Sequence, residues 1–162
     1  MDKKTRDRLV AEYKDGYRAV AEALAGAPED ELDTAPAEGK WTAREIVHHL
    51  ADSEMTSAVR LRLLLATPSP HIVGYDQDEF ARKLHYRERP IEASLDAFNA
   101  ARRSTAELLD LMSEAEWLRE GIHSEHGAYS VHKWLELYAP HAHLHAEQIL
   151  VARDAARKKK LG

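Results

Sequence analysis

The sequence predicts an all-α fold: a bundle of four main helices with a long crossover connection between the second and the third. Three observations carry this expectation. Apolar residues recur at three- and four-residue steps in four separate stretches. Two Ser/Thr-x-x-Glu capping boxes mark helix starts. No stretch combines sustained alternation, β-branched residues and hairpin turns. At 162 residues the chain has the length of one ordinary domain with one core, so residues 1–162 are read as a single domain.

Leu9, Val10, Tyr13, Tyr17, Val20 and Leu24 mark the first amphipathic helix, which ends near Gly26 and Pro28. The stretch PEDELDTAPAEGK then breaks the pattern. Thr42 and Glu45 form a capping box that opens a second helix running to about Ala66. The connection from Thr67 to Pro90 is too long for a tight turn and is interrupted by Pro68, Pro70 and Gly74; within it, DQDEFARKL can supply a short helix. The third helix carries Ile91, Leu95, Phe98, Arg102, Thr105, Leu109 and Met112 on one stripe, and Ser113 with Glu116 caps a brief helix around Trp117. REGIHSEHGAY reads as a loop, and Ser130 as the N-cap of a fourth helix reaching towards Arg157. The basic run from Arg157 to Lys160 reads as a frayed, solvated C-terminal tail. The long connection permits a parallel pair of neighbouring helices.

Charges of both signs are spread along the chain and sum to −5, which argues against a nucleic-acid-binding or membrane-surface protein. There is no cysteine, so neither disulfides, thiolate-ligated metal nor a cysteine nucleophile is available. The start, MDKKTRDRLVAEYK, lacks an apolar signal core, and no run approaches the roughly 18 apolar residues of a membrane span. A cytoplasmic protein is expected. The chain has ten histidines, and five of them fall in two clusters, His48-His49 and His141/His143/His145.

The second cluster lies in YAPHAHLHAEQIL, Tyr138 to Leu150. On a strand all three histidines would share a face, but Ala, Glu and Gln are poor strand formers and Pro140 belongs only at a strand's start or edge. On a helix, His141 and His145 are neighbours and His143 is rotated about 200° from His141. The stripe of the pair then reads Trp134, Tyr138, His141, His145, Gln148, while that of His143 reads Glu136, His143, Glu147, Asp154. The helix thus sorts the residues into a buried and a solvated face. Pro140, which cannot donate to the carbonyl of Glu136, predicts a bend one step before His141.

Imidazoles at i and i+4 on a buried face can reach one ion, but a third ligand must come from elsewhere. In the second helix Ile46, His49, Leu50, Ser53, Ser57, Leu61 and Leu64 form one face, with His49 inward and His48 about 100° away. His49, His141 and His145 are therefore the candidate metal ligands, with His143 a surface residue and His48 in a packing or supporting role. Spacing alone also fits a chance pair of packed histidines. A di-iron reading of Glu45-x-x-His48 fails for want of inward glutamates, since the other copy, Glu120 to His123, contains Gly121 and falls in the predicted loop. No Gly-x-Ser-x-Gly elbow supports a serine nucleophile.

WTAREIVHHLADSEMTSAVRLRLLL (Trp41 to Leu65), YDQDEFARKL (Tyr75 to Leu84) and LYAPHAHLHAEQI resemble, in order and over nearly the whole chain, the DinB/YfiT-like superfamily of metal-binding four-helix bundles. The resemblance places the family's three-histidine site on His49, His141 and His145. It implies one divalent ion per chain (zinc or nickel, with iron or manganese as alternatives), a homodimer, and a small-molecule substrate such as a low-molecular-weight thiol. The family includes thiol S-transferases using bacillithiol or mycothiol, an isomerase and proteins named as hydrolases; its fold does not imply DNA binding. Pro140 stands where the family often has a large residue such as tryptophan, which bears on the helix geometry and not on the ligand set.

Three neutral imidazoles would leave an ion's charge largely uncompensated, so that a water or thiol is acidified without any nucleophilic side chain. Asp52, one turn after His49, and Gln148, one turn after His145, are candidates to orient a ligand; Tyr75 and Asp76 are candidates for the pocket mouth. The expected function is a metal-dependent thiol S-transferase or hydrolase; the alternative is a non-enzymatic metal- or ligand-binding or dimerisation module of the same fold.

Overall fold

The computed structural model describes residues 1–161. In chain order these form α1 (Lys3–Leu24), α2 (Glu29–Leu32), α3 (Ala43–Ala66), β1 (His71–Ile72), α4 (Gln77–Lys83), α5 (Glu92–Leu111), α6 (Glu114–Trp117), β2 (Glu120–His123), β3 (Gly127–Ser130) and α7 (Val131–Leu161). The starts follow the chemistry of the orphan N–H groups at a helix N-terminus. The Asp2 carboxylate accepts from the Thr5 N–H at 2.9 Å. Thr42 and Glu45 form the reciprocal box at the head of α3, and Ser113 and Glu116 do so at α6.

The four long helices form the bundle. α1 packs along α7 and α5, and α3 packs along the same two, so the sequence neighbours α1 and α3 stand across a diagonal. Two apolar clusters fill the interior. One gathers Tyr13, Leu61, Leu64, Leu109 and Trp134; the other gathers Val20, Ile46, Leu50, Phe98 and Ile149. Between them along the helices lies a polar layer. Arg102 and Glu54 are 2% and 0% exposed and pair at 2.5 Å through Arg102 Nη1. Arg102 Nε also donates to the Tyr13 carbonyl at 2.6 Å and Nη2 to the Tyr138 carbonyl at 3.1 Å. The Tyr13 hydroxyl donates to the other Glu54 oxygen. One side chain thereby ties all four long helices. Its bulk is the reason for a glycine inside α1: a Cβ at Gly16 would lie 2.6 Å from Arg102 Nη2 and 2.7 Å from the Ala142 Cβ.

Two sequence expectations are corrected. REGIHSEHGAY is not a loop but a hairpin, with β2 antiparallel to β3 (Gly121 opposite Tyr129, His123 opposite Gly127) and β1 of the crossover parallel to β2 (Ile72 beside His123). Such short, Gly- and His-containing strands carry no legible alternation, because their pairing is made by distant partners. Gly121 is required there, since a Cβ would lie 2.4 Å from the Pro70 carbonyl oxygen. The basic C-terminus is not a frayed tail. α7 runs to Leu161, Arg153 Nε and Arg157 Nε bind the Glu31 carboxylate at 2.8 and 2.9 Å, and Lys160 pairs with Asp30. The helical turn α2, inside a stretch read as patternless, thus serves as the acidic clasp for α7. Pro140, where the sequence predicts a bend, lies inside α7, which continues as one helix from Val131 to Leu161. Buried Trp134, Leu135, Ala139 and Ala142 flank the proline, and packing of this kind carries a helix past one missing backbone donor. No helix among the described residues is long and apolar enough to cross a membrane.

Arg102→Met strands the Glu54 carboxylate in the core and should cost about 3–5 kcal/mol in denaturant unfolding; adding Glu54→Gln should restore part of the loss. The Glu31 carboxyl, held down to about 2 chiefly by its bonds to Arg157 and Arg153, has a folded pKa below its unfolded value. Its contribution is therefore present above about pH 4.5 and lost as the pH falls towards 2. Acid unfolding curves of wild type and Glu31→Gln should converge across that window.

Candidate metal centre

The local sequence of α3 and α7 presents the histidines, and the bundle brings them together. His49 lies on the inner face of α3, while His141 and His145 lie one turn apart on α7. One ring nitrogen of each lies within 4.8 Å of the others. The ring centroids are 5.4 Å apart for His49 and His141, 4.8 Å for His49 and His145, and 4.5 Å for His141 and His145. His141 Nε2 and His145 Nε2 are 3.2 Å apart.

The surroundings prepare these rings as neutral donors. Burial, followed by the proximity of His145, pulls His49 down to about 3. Burial also holds His141 well below the ordinary histidine range, with His145, His49 and Arg102 adding repulsion. His145 is lowered by burial, against the opposing effect of its bond to Gln148. That bond, His145 Nδ1 to Gln148 Oε1 at 2.9 Å, places the proton on Nδ1 and turns the Nε2 lone pair towards His141. His49 Nδ1 is buried without a protein partner, and the ring lies 4.8 Å from that of Trp41. A polar atom orphaned beside two further imidazole nitrogens fits a divalent cation of intermediate softness.

The other sequence candidates are placed as follows. Gln148 supports His145, as its helical spacing suggested. Asp52 does not reach His49; its carboxylate accepts from the Tyr86 hydroxyl at 2.5 Å. Asp76 caps α4, accepting from the N–H groups of Asp78 and Glu79 at 2.9 and 3.0 Å. Tyr75 does line the cleft, its ring tilted against that of Phe80 with centroids 4.4 Å apart. His48 has a packing role: it is buried, with Nδ1 2.7 Å from the Ser94 hydroxyl and Nε2 3.1 Å from the Arg89 carbonyl, and so joins α3 to the start of α5. His143 is half-buried against α1, Nε2 lying 3.0 Å from the Glu12 carbonyl, rather than fully solvated. The carboxylate of Glu45 is spent on the Thr42 N–H and on Arg87, so the Glu-x-x-His motif supplies no ligand.

Beside the cluster opens a cleft of about 340 Å³, lined from α3 by His49, Ser53 and Arg60, from the hairpin by His123 and Tyr129, and from α7 by Tyr138 and His141. Arg60 was overlooked in the sequence although its spacing of 7 and 11 residues from Ser53 and His49 puts it on the same face of α3. His123 and Tyr129 gave no such signal, because the hairpin that aims them was itself not visible. A second group, His123, Glu125 and His126, also brings one potential ligand atom each within 4.8 Å.

A four-helix bundle with three convergent imidazoles defines a class of histidine-rich helical proteins, and comparison with known proteins specifies it. Residues 12–149 match the model of the DinB superfamily, and the chain belongs to that family. A protein of Oceanobacillus iheyensis named "Putative metal-dependent hydrolase" is 34% identical over 140 residues, which is 86% of this chain and 81% of the relative. A Geobacillus thermodenitrificans protein of the same name is 32% identical over 148 residues, covering 89% and 80%. The solved structure of YfiT from Bacillus subtilis, described as "a probable metal-dependent hydrolase with an unusual four-helix bundle topology", superposes with a TM-score of 0.88 at 25% identity, covering 99% of this chain and 90% of that one.

Proposed function

We propose that the protein is a divalent-metal-dependent enzyme that acts on a small molecule by hydrolysis or thiol transfer, with His49, His141 and His145 as the metal ligands. The observation that carries this reading is the convergence of three neutral imidazoles from two helices, His49 buried and His141 and His145 half-buried, with His49 and His141 on the wall of an open cleft. The names of the relatives from Oceanobacillus and Geobacillus support the hydrolytic form. When bound, a divalent ion held by three uncharged nitrogens supplies a Lewis acid that makes a water or a thiol nucleophilic at neutral pH. The chain's own residues do the rest. Gln148 keeps His145 in the tautomer whose Nε2 can donate, and burial keeps all three rings unprotonated. The absence of cysteine means that any thiol comes with the substrate. Nitrogen donors of this kind suit zinc and nickel, and accept iron or manganese.

Elemental analysis of protein purified without chelator or immobilised nickel should find about one divalent ion per chain. The triple variant His49→Ala, His141→Ala, His145→Ala should lose it and His143→Ala should keep it. Gln148→Ala should weaken metal affinity by about 10–100-fold. A wild-type protein that neither contains nor takes up metal sinks the proposal. Turnover of esters and amides, against turnover of a low-molecular-weight thiol with an electrophile, then separates hydrolase from transferase.

A further inference from the structure

The cleft beside the imidazoles also carries three hydrogen-bonding groups that the fold itself does not use. His123 and Tyr129, 2% and 1% exposed, come from the paired strands β2 and β3, and Arg60 comes from α3. His123 Nε2, the Tyr129 hydroxyl and Arg60 Nε are each buried without a protein partner, and all three residues line the cleft together with His49 and His141. Buried polar groups are almost always satisfied, so three orphans around one cleft point to a ligand.

The chemistry of these groups has one polarity. Arg60 carries a permanent charge and is held in place by Nη1 donating to the Tyr138 hydroxyl at 3.2 Å and Nη2 to the Val73 carbonyl at 2.9 Å, which leaves its Nε–H free. No carboxylate among the described residues pairs with it. His123 Nδ1 accepts the Glu125 N–H at 3.1 Å, so in the neutral ring the proton sits on Nε2, which is a donor. The same bond argues against His123 as a metal ligand: binding through Nε2 would move the proton to Nδ1, against the Glu125 N–H. The Tyr129 hydroxyl supplies a third donor, with its ring 5.2 Å from that of His123. One acidic side chain, the exposed Glu125, also lines the cleft.

We propose that Arg60, His123 and Tyr129 form an oxyanion subsite that holds a carboxylate or phosphate group of the substrate beside the histidine cluster. The word substrate rests on the function proposed above; the binding of an oxyanion does not. An anion there would receive one N–H from a fixed guanidinium, one N–H from an imidazole and one O–H from a phenol, donors that no protein acceptor already occupies. The subsite would select acidic substrates and orient them towards the metal.

Calorimetric titration of metal-stripped protein with sodium acetate and with inorganic phosphate, at fixed ionic strength, tests this. Wild type should bind at least one of the two, and the tighter one names the group. Arg60→Met, His123→Phe and Tyr129→Phe should each weaken that binding by about tenfold or more. Tyr129→Phe deletes only an oxygen that no protein group uses, so the melting temperature without anion should hold or rise; a purely structural tyrosine would show the reverse, lost stability with binding intact. The subsite is overturned if wild type binds neither anion or if the three variants bind as wild type does. It is also overturned if binding appears only with added zinc and vanishes in His49→Ala, which would put the anion on the metal. Metal uptake measured on the same samples keeps the two proposals apart: anion binding without metal uptake rejects the enzyme and retains the subsite, and uptake without anion binding does the opposite.

Discussion

The pairing of Arg102 with Glu54 at the centre of the bundle is the constraint around which the other parts are arranged. Taking both charges out of water is costly, and the cost is offset only because the guanidinium finds three acceptors and the carboxylate two donors. Burial pushes the Glu54 carboxyl upward in pKa, while Arg102 and the Tyr13 hydroxyl pull against that shift. Each partner sits on a different helix, so the network is satisfied in one relative placement of α1, α3, α5 and α7. Gly16 shows how tight that placement is, because the guanidinium occupies the space a side chain would need. Apolar clusters on either side contribute most of the burial, but such surfaces tolerate sliding that a polar network does not.

The histidine cluster belongs to the same layer. Tyr138, whose carbonyl accepts from Arg102, is one helical turn before His141, and its hydroxyl accepts from Arg60. The charge of Arg102 also helps to keep His141 unprotonated. Polar groups that secure helix register are thus continuous with those that meet the cleft. Between two dry clusters, this is the level at which a bundle can hold imidazoles away from water while leaving one side open. The small sheet closes that side: β1 and the β2–β3 hairpin bring His123 and Tyr129 over a cavity that four helices alone would leave bare.

The long helices, their capping boxes and the inward faces of His49, His141 and His145 were legible in the sequence, and so was the membership of the DinB superfamily that the family match shows. Arg102 was even placed on the buried stripe of its helix. What escaped was partnership. The Glu54 that answers Arg102, the Tyr86 that claims Asp52, the Arg89 carbonyl and Ser94 that occupy His48, and the Glu31 that turns a basic tail into an anchored helix all lie far away along the chain. The hairpin was missed for the same reason, since four-residue strands containing Gly and His take their conformation from the neighbours they pair with.

By itself the sequence determined what the backbone decides locally. Capping chemistry and a period of 3.6 residues act over one or two turns, and they suffice to say that His141 and His145 share a face and His143 does not. Only the tertiary structure decided which faces meet, because the packing of α3 against α7 sets the distance from His49 to that pair and the sheet carries His123 and Tyr129 to the mouth of the site. Side-chain direction is a short-range consequence of backbone dihedrals. The company a side chain keeps depends on burial, which the whole chain must satisfy at once.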